Sequence, residues 1–390
     1  MRVAIVFEIF FPVVNGVVTA SLEVARNLRK KGHSVIMIAP RLPESGPESV
    51  EGFPVHYVTS YEVYVYPGMR GTLPWSRTVE TLLKREKIDI VQATGPWLLN
   101  YAAMRAARRH GIPVVQTFHT MLLERSYIRY FTHGDLLVPV LQKMGWRYFS
   151  IYMNKSDVVT GPSRYTTDEL RSAYPSLRVE YIPNGIDVDR IAGANPDRQE
   201  TFDRYPDLTD RCVVFIGRLG EEKNVSLLID SMKRVNRIDP SIRLLLIGEG
   251  PGRRDYERQV QELGLTQAVR FLGRIPHEDL LTRGLLHHVR ANVTASVTES
   301  FGMTVIEAMA AGTPSVVPDV PGISELTTDT GLTFKRDDHD ELAREIIRIS
   351  TDDALRHTLS SSCLERASHF DGEKVSDQFI ELYEELLARS

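Results

Sequence analysis

The feature that most constrains this chain is an alternation, run through twice, of short apolar stretches with longer amphipathic ones. In the first half, "RVAIVF" (2–7), "SVIMIA" (34–39), "DIVQAT" (89–94), "PVVQTFH" (113–119) and "SDVVTGPS" (156–163) have strand length and little polar alternation. Strands that read this way are covered on both faces, as in parallel sheets. Between them, "TASLEVARNLRKKGH" (19–33) and "LLNYAAMRAARRHG" (98–111) have helical patterning. Strand alternating with helix implies an α/β fold built on a doubly wound parallel sheet.

"VEYIPNGIDVDRI" (179–191) breaks the alternation with Pro183, Asn184 and Gly185, and marks a domain boundary. A second series follows: "RCVVFIGRL" (211–219), "IRLLLIGEG" (242–250), "AVRFLGRI" (268–275), "ANVTASV" (291–297), "PSVVPDV" (314–320) and "LTFK" (332–335). At 390 residues the chain exceeds one ordinary core. The expected domains are therefore 1–182 and 183–370. A tail, 371–390, contains the helix "DQFIELYEELLA" (377–388), whose apolar face needs a cover. Ligands of open α/β sheets bind outside the carboxyl ends of the strands, so two such sheets facing one another would share a cleft.

Composition narrows the class. A chain 42% hydrophobic and 25% charged is that of a soluble globular protein. Two cysteines, Cys212 and Cys363, allow neither a disulfide framework nor a paired-cysteine metal site, which fits a reducing cytoplasm. The opening "MRVAIVFEIFFP" is broken by Glu8 and Pro12 and reads as a first strand, not a signal peptide. No apolar run reaches the length of a membrane span. Charge is uneven: residues 1–185 hold 22 Lys and Arg against 15 Asp and Glu, the remainder 25 against 36. A basic half joined to an acidic half suggests different partners for each.

The glycine clusters exclude two common nucleotide sites. "EIFFPVVNGVVTASLEVA" has no Gly-x-Gly-x-x-Gly, and "GEGPGRRD" (248–255) carries Pro251 and no suitably spaced acid after it. That pattern argues against a nicotinamide or flavin dehydrogenase, and the lack of a Walker-type loop excludes nucleotide hydrolysis by a P-loop. What remains are strand-end glycines paired with cations. Asn15-Gly16 follows the first strand, where a small residue lets backbone approach a phosphate or sugar. In "GRLGEEKN" (217–224), Arg218 follows a strand and Lys223 stands five residues on, a fork and a point charge suited to a diphosphate. "TESFGMTVIEAMAAGTP" (298–314) sets Glu299 before a helix and Glu307 in its second turn, with Gly312 and Pro314 as the stop. The amides of that first turn are free to meet a ligand's oxygens. Each residue also has an ordinary reading, as a surface cation, a helix-end acid or a solvated face. "DVD" (187–189) has the Asp-x-Asp form of some metal sites, but lies in the hinge, where Asp187 is expected to act as a cap.

"NGV" (15–17), "FHT" (118–120), "IPNGID" (182–187), "GRLGEEKN", "IGEGP" and "ESFGMTVIEAMAAGTP" together resemble the retaining glycosyltransferases of the GT-B fold, family 4-like, that carry the Glu-x7-Glu signature. The resemblance covers residues 1 to about 320. It implies two Rossmann-like domains facing each other across a cleft, acceptor-binding first and nucleotide-sugar-binding second, with the last helix crossing back onto the first. It assigns Arg218 and Lys223 to the donor diphosphate, Glu307 to the ribose, and Glu299 with the amides of Phe301, Gly302, Met303 and Thr304 to the donor sugar. Gly16 would let the first loop approach the sugar-phosphate, His119 would touch the sugar near the reacting carbon, and the backbone at Ile275 would read the base. His119, Arg218, Lys223 and Glu299 are thus the expected catalytic residues.

The resemblance further implies a hexosyltransferase using a UDP- or GDP-sugar, with retention by front-face attack and the leaving phosphate as proton acceptor; His119 as base is the second choice. With two cations present, no divalent metal and no cofactor are expected, and no nucleic acid partner. The stretch "HTMLLERSYIRYFTHGD" (119–135) looks like the branch that glycosylates diacylglycerol or phosphatidylinositol, although Leu122, Leu123 and Glu124 stand where that branch has tyrosines. Leu137, Leu141, Met144 and Tyr148 fall at helical spacing beside Lys143 and Arg147, as in a core helix or one lying in a membrane interface. A lipid acceptor at an anionic inner membrane face is the reading taken. A soluble transferase and a nucleotide-sugar epimerase are the alternatives, and a non-enzymatic scaffold would have no need of all four site residues.

Overall fold

The computed structural model describes residues 1–11, 15–42, 46–63, 70–119, 128, 137–297, 299 and 301–389. It divides into two units, Met1–Gly185 with Gly372–Ser390, and Ile186–Asp371. The expected divisions lay after residues 182 and 370.

Unit 1 contains strands β1 (Arg2–Val6), β2 (Ser34–Pro40), β3 (Ser49–Val50), β4 (Phe53–Val58), β5 (Tyr61–Glu62), β6 (Arg70–Gly71), β7 (Ile90–Ala93), β8 (Val114–Thr117), β9 (Val158–Gly161) and β10 (Val179–Tyr181). Eight form one sheet in the order β10-β9-β8-β7-β1-β2-β4-β3, parallel except for β3 against β4. The central strands are buried along their length, which explains their unbroken apolar character. β5 and β6 pair separately. The first helix runs Gly16–Lys30, three residues earlier than its sequence pattern suggests, because the Asn15 side chain accepts from Val18 N at 3.0 Å and caps it.

The tail helix, Gly372–Ala388, also starts earlier than expected and packs on Gly16–Lys30 within unit 1. Val375, Phe379, Leu382, Tyr383 and Leu386 join the cluster formed by Val3, Ile5, Leu22 and Leu28. Arg178 holds Glu385 with two bonds of 2.7 Å. The Tyr383 hydroxyl donates to Gln92 Oε1 at 2.9 Å in a fully buried site. Tyr383→Ala is expected to cost about 3–5 kcal/mol, as for other buried aromatics. Tyr383→Phe, which only orphans one amide oxygen, is expected to cost about 1–2 kcal/mol. Urea unfolding followed by circular dichroism checks both; near-equal losses would mean that the hydrogen bond rather than the ring anchors the tail.

Unit 2 contains β11 (Cys212–Ile216), β12 (Arg243–Ile247), β13 (Val269–Gly273), β14 (Ala291–Val293), β15 (Ser315–Pro318) and β16 (Gly331–Phe334). All are parallel, in the order β13-β12-β11-β14-β15-β16. The sheet order reverses between β11 and β14, the point where open α/β sheets form their ligand crevice.

Candidate functional site

The glycines that end the unit 2 strands set its working edge. Gly217 N donates to Ile247 O at 3.0 Å, Leu219 N to Glu249 O at 3.0 Å, and Gly248 N to Gly273 O at 2.8 Å. The loops after β11, β12 and β13 are thereby tied together by backbone alone. Gly248 lies at φ +134°, and a Cβ there would sit 1.9 Å from Gly217 O. Only glycine satisfies both conditions.

Arg218 and Lys223 rise from the loop tied in this way, Lys223 from a short 3-10 turn, Glu221–Lys223. Arg218 Nη1 lies 3.4 Å from Glu222 Oε1, and the Lys223 ammonium donates to the Glu299 carboxylate. Both members of the second pair are about a quarter exposed, so the pair is desolvated without being sealed. Burial pushes the Glu299 carboxyl upward, but Lys223, with a hydrogen bond from Ser296, outweighs it and holds it below its ordinary range. Glu299 is therefore an anion at neutral pH.

Three residues on from Glu299, Gly302 takes φ +95° and turns the chain into the helix Met303–Ala310. Among the described residues no side chain caps that helix, so the Met303 and Thr304 amides stand at its positive end. Glu307 sits in the second turn as expected, but not on a solvated face: it is 5% exposed and meets His277 Nε2 at 2.9 Å. His277 was missed by sequence reasoning. A histidine after Pro276 at a strand end carries little local signal, and its partner is 30 residues away.

The structure thus brings Arg218, Lys223, Glu299, Glu307 and the Gly302–Thr304 turn to the carboxyl edge of one sheet. Ile275 and Phe301 differ in kind. Their side chains are core, Ile275 among Cys212, Val214 and Leu245, and Phe301 against Phe370 at 5.7 Å. Only their backbones are suited to contact a ligand. Asp187 caps the short helix Val188–Ala192 by accepting from Arg190 N at 3.1 Å.

Gly16 and His119 belong to unit 1. Gly16 is the exposed first residue of its helix, and His119 follows β8. Burial lowers the His119 imidazole to about 4, so it is neutral at physiological pH and a weak base. Unit 1 holds a further group that sequence reasoning passed over. Glu8, just past β1, accepts from Asn100 N at 2.8 Å and Asn100 Nδ2 at 3.0 Å, and so caps the helix Leu98–Arg109 from outside. Burial pushes its carboxyl up to about 7 against those bonds.

The acceptor motif "HTMLLERSYIRYFTHGD" lies outside the described residues except for His119 and Ile128. Beyond it the helix Val138–Met153 leaves Val140, Leu141, Met144, Tyr148 and Ile151 exposed, with Leu137 just before it and Met144 at 62%. Lys143 and Arg147 are exposed on the same helix. Among the described residues no helix is long and apolar enough to cross a membrane.

Residues 14–190 match the family model described as Glycosyltransferase Family 4, and residues 197–364 the model described as Glycosyl transferases group 1. The GDP-mannose-dependent alpha-mannosyltransferase of Mycobacterium tuberculosis is 31% identical over 85% of this chain and 83% of its own. The chain belongs to glycosyltransferase family 4. Alpha-monoglucosyldiacylglycerol synthase of Streptococcus pneumoniae is 24% identical to this transferase over 98% of its chain and 86% of the synthase. Sucrose-phosphate synthase from Thermosynechococcus elongatus superposes with a TM-score of 0.79 at 22% identity over the whole of both chains, which shows the shared fold. The transferase accordingly has the GT-B fold, with two Rossmann-like units.

Proposed function

We propose that this transferase moves a hexose from a UDP- or GDP-sugar to a hydroxyl of a membrane lipid, with retention of anomeric configuration and without a divalent metal. The observation that carries the donor half is Lys223 held by Glu299 beside Arg218, next to the left-handed turn at Gly302 that opens the helix Met303–Ala310. Departure of a nucleoside diphosphate builds negative charge on its phosphates, and fixed cations there stabilise the transition state more than the ground state. Arg218 and Lys223 supply that charge in place of a metal ion. Glu307 holds the ribose hydroxyls, and Glu299 and the turn amides the sugar.

The bond from the anomeric carbon to the phosphate oxygen breaks, and the acceptor oxygen bonds to that carbon on the same face. The acceptor's proton passes to the departing phosphate oxygen, so no protein base is needed. A neutral His119 suits hydrogen bonding to the sugar rather than proton transfer. The acceptor half rests on the exposed apolar face of Val138–Met153 flanked by Lys143 and Arg147, as expected of a helix lying in a membrane interface. The diacylglycerol acceptor implied by the name of the Streptococcus pneumoniae relative supports the same reading, in which the chain works as a peripheral protein of the inner membrane face.

The test is a panel of UDP- and GDP-sugars with and without anionic liposomes containing diacylglycerol or phosphatidylinositol, with EDTA throughout. A glycolipid formed only with liposomes, α-linked from an α-donor by NMR, is the expected result. Turnover that ignores lipid and follows a small soluble acceptor overturns the acceptor, an inverted product overturns the mechanism, and loss with EDTA overturns metal independence.

A further inference from the structure

Unit 1 carries a second charged site that the transfer reaction does not use. Between β4 and the helix Arg77–Arg85 lies a cavity of about 650 Å³ lined by Arg41, Arg77 and Arg85 together with Thr78, Thr81 and His56. Among the described residues the lining contains no carboxylate. Arg85 is engaged by Glu86 at 2.9 Å, whereas no ion pair of Arg41 or Arg77 occurs among the described residues. Arg41 and Arg77 therefore leave positive charge at the cavity that an anion would neutralise. Burial, then Arg85, lowers the His56 imidazole against the pull of Glu86, so this ring adds a neutral hydrogen-bonding group.

The chemistry of the lining selects among anions. Guanidinium forks match tetrahedral oxyanions with paired bonds, and two threonine hydroxyls add directional donors. We infer that the cavity framed by Arg41, Arg77 and Arg85 binds a phosphate group, carried either by a lipid headgroup or by a small phosphorylated molecule. The site goes beyond the transferase reading, which uses other residues and a different unit, and it stands or falls separately.

Arginine modification by phenylglyoxal, mapped by mass spectrometry on the full chain, tests the site residue by residue without a variant. Saturating inorganic phosphate is expected to slow modification of Arg41 and Arg77 about tenfold, the effect of engaging each guanidinium in charge-assisted bonds. The exposed Arg254 of unit 2 serves as the control and keeps its rate. A second arm replaces phosphate by phosphatidylglycerol vesicles. Protection of the same two residues by vesicles identifies a headgroup as the source, and protection by inorganic phosphate alone identifies a small phosphorylated molecule. Unchanged rates in both arms, or equal protection by chloride at matched ionic strength, overturn the inference.

Discussion

Lys223→Ala is expected to lower kcat/KM for sugar transfer by about 10²–10³ while leaving the chain folded, the scale of removing one fixed donor from a developing oxyanion. In the proposed role of Lys223 the effect falls on transition-state charge, so kcat should drop more than donor affinity. Lys223→Arg keeps the charge but replaces a point ammonium with a planar fork, and should recover only part of the loss. The substitution also strips Glu299 of its partner. With both side chains about a quarter exposed, the stability loss should be about 1–2 kcal/mol, below the range for sealed pairs.

The pH dependence of that loss carries a sign. In the wild type Glu299 lies below its ordinary value, so its contribution is present above the unfolded carboxylate range and is lost as pH falls through the folded value. Without Lys223 the burial that raises it is opposed only by the hydrogen bond from Ser296. Glu299 then moves above the unfolded value, and stability declines as pH rises through the carboxylate range. Melting temperatures of wild type and Lys223→Ala from pH 4 to 8, beside steady-state kinetics at pH 7, read both effects. A variant whose turnover stays within about threefold of wild type would remove Lys223 from the diphosphate clamp.

Much of this was legible because it is local. Both runs of buried parallel strands showed as unbroken apolar stretches, and the Glu299-to-Glu307 helix showed by its spacing and its Gly312 stop. What stayed hidden depends on contacts across the fold. Glu307 reads as a face residue until His277, 30 positions earlier, is brought to 2.9 Å. Glu8 looks like a break in an apolar strand, yet it caps a helix 92 positions away. Ile275 and Phe301 sit within motifs, but topology buries their side chains. The exposed face of Val138–Met153 had the spacing of a core stripe, and only the packing of the rest of unit 1 shows that it is exposed.

Gly248 is the position where fold and site are least separable, and Gly248→Ala is expected to destabilise unit 2 by about 3–5 kcal/mol with loss of donor binding. Two terms add. The backbone at φ +134° lies in a region that side chains rarely occupy, and the new methyl would stand 1.9 Å from Gly217 O and 2.9 Å from Gly217 C. Neither neighbour is a side chain that could swing aside. Gly217 is itself pinned by its bond to Ile247 O, and relief must move the loop that carries Arg218 and Lys223. Gly264→Ala separates the two terms, because Gly264 has φ +69° in the same unit and nothing within 4 Å of its Cβ position. That substitution should cost only about 1–2 kcal/mol, the left-handed penalty by itself, and leave donor binding intact. Urea titration of both variants, with calorimetric titration of UDP and GDP, makes the comparison. Equal losses at the two positions would mean that the contact between the β11 and β12 loops does not hold the cations in place.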